Sequence, residues 1–155
     1  MKTLNLLLGF LFFAMVANAQ VKQNSDGLYA NADGSLFSGT LTLDESGVKK
    51  STLQIKDGKQ HGEANYFYAS GKLMETGNYE NGLKHGKWIR YNESGIMTGL
   101  AAYSLGKKDG TWLVYDDNGK KRFEMNYKNG EKTGIWTNWD ENGGIAGTKD
   151  YSQAN

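Results

Sequence analysis

The chain contains no cysteine and no proline, and only two histidines among its 155 residues. Without cysteine there are no disulfide staples, thiolate zinc sites or cysteine nucleophiles, and no lipid anchor through an N-terminal cysteine. Without proline, the 21 glycines belong neither to a collagen-like repeat nor to a stiff linker. An excess of one charge is lacking too: 18 lysines and arginines face 17 aspartates and glutamates. This balance argues against nucleic acid as the main partner. It also argues against charge-driven binding to an anionic membrane.

Long hydrophobic runs are scarce. One stretch, Leu6 to Val16, follows Lys2 and precedes Ala17-Asn18-Ala19. A basic start, an apolar middle and a small-x-small ending predict a cleaved signal-peptide helix over residues 1–19. The run is shorter than the roughly 18 apolar residues of a membrane span. The expected product is therefore exported, periplasmic or extracellular, with no integral membrane segment after cleavage. Cleavage removes Lys2 and leaves a formal charge of zero.

What is abundant is glycine, together with 12% aromatic residues, and both recur in register. Gly58, Gly82, Gly106 and Gly130 fall 24 residues apart. The same period carries Gly62, Gly86, Gly110 and Gly134, and also Gly71, Gly95, Gly119 and Gly143. It carries Tyr79, Tyr103, Tyr127 and Tyr151, then Trp88, Trp112 and Trp136 with Ala64 in the first unit. A further aromatic column is Phe67, Tyr91, Tyr115 and Trp139. A fixed period of this length is the signature of a repeat array. Units fall near 34–57, 58–81, 82–105, 106–129 and 130–153, within an array spanning 34–155. The first is degenerate, with Gly39 one place late, as terminal caps often are. Residues 20–33 are polar and are expected to be a leader or an extra edge strand.

Each unit reads as strand, turn, strand, turn. Thr111 to Tyr115 is β-branched and aromatic, as strands favour. Asp116-Asp-Asn-Gly119 predicts a tight turn, since Asn-Gly accepts positive φ. Arg122 to Tyr127 alternates, with Phe123, Met125 and Tyr127 on one side. Lys128-Asn-Gly130 closes the unit. The predicted fold is all-β: a single-layer, elongated antiparallel sheet of tandem 24-residue hairpins, held by contacts between equivalent rings rather than by a thick core.

Units such as Asn81-Gly-Leu-Lys-His-Gly-Lys-Trp88 and Gly106-Lys-Lys-Asp-Gly-Thr-Trp-Leu-Val-Tyr115 resemble the MORN-repeat variant family. The resemblance covers about residues 34–151. At full length such chains are similar to YwqK-type antitoxins, and the opening Asp26-Gly-Leu-Tyr29 and Phe37-Ser-Gly39 fit that likeness. Membership implies an interaction scaffold rather than a chemistry. An exported antitoxin-like chain would have to meet its target in the envelope.

The candidate sites are few. His61 and His85 share one repeat position, which Asp109 and Thr133 hold in later units. That pattern points to a solvent-facing turn position. The two lie about 10 Å apart if hairpins stack, too far to share a metal. Asp116-Asp117 and Asp140-Glu141 fall in turns that favour Asp, not across a hydrolytic cleft. The glycines precede no helix that could cradle a phosphate. No catalytic, cofactor-binding or metal residue is predicted, and the chain is expected not to be an enzyme. The tryptophans are expected to pack. Phe67, Tyr91, Tyr115 and Trp139, three residues further on, should lie on the opposite face; packing and partner contact both remain open for them.

The predicted function is an exported, non-enzymatic scaffold for protein–protein interaction. The runner-up is a cell-wall or carbohydrate-binding module in which the Phe67–Tyr91–Tyr115–Trp139 ladder stacks on sugars. Association with a lipid surface is a third reading. Open end strands invite pairing into a homodimer.

Overall fold

The computed structural model describes residues 21–152; the signal expected over residues 1–19 lies outside the described residues. Among the described residues there is no helix, and hence none long and apolar enough to cross a membrane. Thirteen strands form instead. β1 (Lys22–Gln23) and β2 (Tyr29–Ala30) pair as a short ribbon. The others are β3 (Gly39–Glu45), β4 (Val48–Lys56), β5 (Lys59–Phe67), β6 (Leu73–Glu80), β7 (Leu83–Tyr91) and β8 (Met97–Ser104). Then come β9 (Lys107–Lys108), β10 (Gly110–Tyr115), β11 (Lys121–Lys128), β12 (Glu131–Trp139) and β13 (Ile145–Asp150). They form an open antiparallel sheet in sequence order, with β3 and β13 as edges and β9 continuing the line of β10 beside β8. At about 4.8 Å per strand the sheet is roughly 43 Å long.

From the β4–β5 turn onward two kinds of turn alternate. Asp57-Gly58, Asn81-Gly82, Leu105-Gly106 and Asn129-Gly130 place both residues at positive φ, the primed geometry that suits the twist of adjoining strands. The Asp116–Gly119 turn differs from the expectation, because only Gly119 has positive φ. Its geometry is held by Asp116, whose Oδ1 accepts the amides of Asn118 (3.0 Å) and Lys120 (2.9 Å). Asn92 and Asp140 do the same one repeat either side. The acids at 116 and 140 are thus turn builders, and the amide bonds hold the Asp116 carboxyl below its usual range.

The second glycine of each unit marks a bulge inside a strand, which periodicity alone did not reveal. Asn78 pairs His85, yet Thr76 pairs Ile89, a slip of two residues. The slip recurs at Asn126–Thr133 and Glu124–Thr137, and at Ile55–Gln60 and Leu53–Ala64. Gly62, Gly86, Gly110 and Gly134 hold positive φ there, as bulge glycines can without steric cost. Just beyond the bulge each indole donates Nε1–H to the neighbouring strand: Trp88 to Asn78 O, Trp112 to Ala102 O, Trp136 to Asn126 O.

Within residues 20–33, expected as a leader or an extra edge strand, β1 and β2 pair with each other and not with the main sheet. Tyr29 N–H donates to Gly58 O and Gly58 N–H to Phe37 O, which ties the segment to the end of the β4–β5 hairpin. Val21, Tyr29 and Phe37 then pack on the buried cluster Leu41, Leu53, Ile55, Ala64 and Trp88. The expectation of a sheet without a thick core therefore needs a correction at this end: a small core exists under residues 21–38.

Candidate functional site

One face of the sheet carries the tryptophans, and its side chains fall in rows running across the strands. The middle row is Leu53, Ala64, Gly77, Trp88, Ala101, Trp112, Met125, Trp136 and Lys149. One row to the side, Tyr79 pairs Lys84, Tyr103 pairs Lys108, and Tyr127 pairs Lys132. The rings interleave: Tyr79–Trp88 centroids are 5.0 Å apart, Tyr103–Trp112 5.1 Å, Trp112–Tyr127 5.5 Å, Tyr127–Trp136 5.1 Å and Trp136–Tyr151 4.7 Å. Such pairs contribute about 0.5–1.5 kcal/mol each beyond area burial. Each lysine caps the stack with its ammonium: Lys84 lies 3.7 Å from the Trp88 ring, Lys108 4.2 Å from Trp112 and Lys132 4.7 Å from Trp136. The 24-residue spacing of these lysines was visible in the sequence, but the bulge that tips each indole under an ammonium was not.

Burial fades along the array. Trp88 is 2% exposed, because Gly77 beneath it has no side chain: a Cβ there would lie 2.3 Å from the indole. The equivalent position is Ala101 under Trp112 and Met125 under Trp136, and both of those indoles are only half-buried. Residues 21–38 pack through Val21, Tyr29 and Phe37 against the buried cluster at the first end of this face, and among the described residues no such cluster forms at the other end. Val114 (37% exposed) and Phe123 (46%) stand open beside the later tryptophans. A shallow cleft of about 390 Å³ follows, lined by Phe123, Met125, Trp136, Asn138, Lys149 and Tyr151.

Charge is segregated in the same way. Within β5–β13 the tryptophan face bears Lys84, Arg90, Lys108, Lys132 and Lys149 against one carboxylate, Glu75. Lys84 pairs with Glu75 at 3.2 Å. The opposite face mixes signs, with Glu80 beside His85, Glu124 beside Lys121 and Asp109 beside Lys128. The near-zero balance of the chain conceals a cationic face.

Phe67, Tyr91, Tyr115 and Trp139 fall on that opposite face, as alternation requires, and all four are half-buried. They do not stack on one another. Lys49 lies 4.4 Å above the Phe67 ring and Lys121 4.1 Å above Trp139, and Leu73 and Tyr91 flank a hollow between successive turns. His61 and His85 sit in strands beside the bulge rather than in turns. Their Nδ1 atoms accept the amides of Asn81 and Leu105, both at 3.4 Å. Asp109 accepts Asn129 N–H at 3.1 Å, and Ser38 accepts Asp57 N–H at 2.8 Å. The column staples the next left-handed turn. Among the described residues no three potential ligands gather to hold a metal.

A search of curated proteins finds no match. A family model described as the MORN repeat variant matches residues 60–81 and 108–129. Those two segments begin 48 residues apart, twice the period of the bulges and tryptophans. Repeats of this kind are associated with protein or membrane binding, and here two of the units carry their pattern.

Proposed function

We propose that the chain is an exported, non-catalytic scaffold that binds a protein partner on the C-terminal half of its tryptophan face. The observation that carries this reading is the exposed pair Val114 and Phe123 beside the half-buried Met125, Trp136 and Tyr151, on a face whose other end carries the cluster that Val21, Tyr29 and Phe37 pack against. Exposed apolar surface rimmed by polar groups marks an interaction site. An antitoxin-like or immunity role, neutralising a protein that acts in the envelope, is the form of this function that fits an export signal. Binding to a cell-wall glycan through the opposite-face ladder is the competing form.

The test is affinity capture from an envelope fraction with the wild-type chain and with Phe123→Asp as baits. A partner held by the wild type and lost from Phe123→Asp supports the reading. Capture that is indifferent to Phe123→Asp but abolished by Tyr115→Ala, or pelleting with peptidoglycan that needs Tyr115, moves the function to the other face.

A further inference from the structure

The repeat shows in one unit a pairing that it leaves incomplete in the next. Lys84 lies against Trp88 and Tyr103 and is neutralised by Glu75. Twenty-four residues on, Lys108 lies against Trp112 and Tyr127 in the same way. The residue equivalent to Glu75 is now Gly99. Lys108 Nζ has no carboxylate within ion-pair distance among the described residues, and neither has Arg90, which pairs with Gly99 across the sheet. The space over Gly99 belongs to a cleft of about 470 Å³ whose lining includes Arg90, Tyr103, Trp112 and Val114 and, at its far end, the Glu75–Lys84 pair, with Glu75 the other cross-strand neighbour of Arg90. A Cβ on Gly99 would meet nothing nearer than 3.6 Å. The position is roomy, adjoins Arg90 directly, lies within the side-chain reach of Lys108 if that lysine extends as Lys84 does to Glu75, and is bordered by the open apolar strip.

We propose that Gly99 is the seat of a partner's acidic side chain, whose carboxylate takes the place that Glu75 holds one repeat earlier, between Lys108 and Arg90. This rests on the scaffold reading and names the chemistry of its partner. Phe123 lies two strands beyond Gly99, about 10 Å away, close to the roughly 9 Å that separates residues i and i+3 on one side of a polyproline II helix. The recognised segment is therefore a peptide in the polyproline II conformation with Asp or Glu at one position and an apolar residue three places along. Charge complementarity favours this occupant, because the acid supplies what the face lacks and the apolar residue covers Val114 and Phe123.

The experiment titrates isotope-labelled protein with acetyl-Ser-Glu-Ser-Ser-Leu-Ser-amide and with its Gln analogue, following the Gly99 amide and the Trp112 indole N–H. The expected result is movement of both signals, with affinity about fivefold lower for the Gln peptide, as for the loss of one ion pair. Gly99→Glu, which refills the seat from within, should abolish binding, whereas Gly99→Ala should keep the fold and most of the affinity. Lys108→Gln should weaken binding of the Glu peptide and leave the Gln peptide unchanged. Equal affinity for the two peptides, no binding of either, or indifference to Gly99→Glu overturns the proposal. So does tighter binding of trigalacturonate or of an oligothymidylate than of the Glu peptide. If the peptide fails while capture still depends on Phe123, the seat is wrong and the scaffold reading stands.

Discussion

At the scale of single residues, Gly77 shows how one missing side chain decides the packing of an entire unit. Its absent Cβ admits the Trp88 indole to within contact of the backbone of β6. Gly77→Ala forces that ring away and is expected to cost about 2 kcal/mol, the usual range for overpacking a filled site. Urea unfolding should show the loss, and the Trp88 emission should shift to the red. Asp109 acts on the next turn instead. The Asn129 amide first, and then Lys128, hold its carboxyl below the ordinary range. Because the folded value is depressed, its stabilisation is complete above the unfolded value of about 3.9 and is lost as pH falls through the lowered folded value. Asp109→Asn should therefore flatten the acid limb of the stability profile and leave the neutral region nearly level, as acid titration of both proteins followed by circular dichroism would show.

Tyrosines on the tryptophan face give the opposite limb. Burial first, then the Tyr79 hydroxyl 3.1 Å away, pushes the Tyr66 hydroxyl up, and burial raises Tyr29 and Tyr103 as well. Their contribution is complete below the unfolded value of about 10 and is lost as pH rises toward the folded ones. Tyr66→Phe should make alkaline unfolding shallower.

At the scale of the element, the closing turns differ in quality. Three of them put Asp57, Asn81 or Asn129 at positive φ, but one puts Leu105 there at 45°. A left-handed conformation costs an ordinary residue about 1–2 kcal/mol, and Asn escapes part of that. Leu105 is 52% exposed and contributes little burial in return. Leu105→Asn should raise stability by about 0.5–1 kcal/mol, measurable as a shift of the urea midpoint. The hairpins were readable beforehand because Asn81-Gly82 and Asn129-Gly130 announce their own geometry. The bulge was not. Gly86 and Gly110 stood out as a column, but a glycine inside a strand fits a bulge, a bend or a close approach equally well. Only the partner strand shows that the register slips by two residues. That slip turns His61 and His85 into staples for the following turn.

At the scale of the whole molecule, period and composition made the single sheet and its strand order legible, since neighbouring hairpins with short turns must lie side by side. The packing on Leu41 and Leu53 was not legible, because Tyr29 and Phe37 reach them from outside the period. The open strip was hidden for the same reason. Trp88, Trp112 and Trp136 look equivalent in sequence, and what separates them is Gly77, Ala101 or Met125 on the adjoining strand and cover from residues 21–38. Stability in such an array is a sum of neighbour terms. Deleting residues 130–155 should therefore leave Trp88 emission blue-shifted, whereas deleting residues 21–38 should expose the buried cluster and cost at least about 3 kcal/mol. Fluorescence-monitored urea unfolding of the two truncations compares them.

The gradient of burial along one face underlies both the fold and the proposed binding surface, and hydroxyl-radical footprinting read by mass spectrometry tests it residue by residue. Trp88 should be protected, while Trp136 and Phe123 should be modified readily in the free protein. Modification of Trp88 as fast as Trp136, or protection of Phe123 in the isolated chain, would contradict the account.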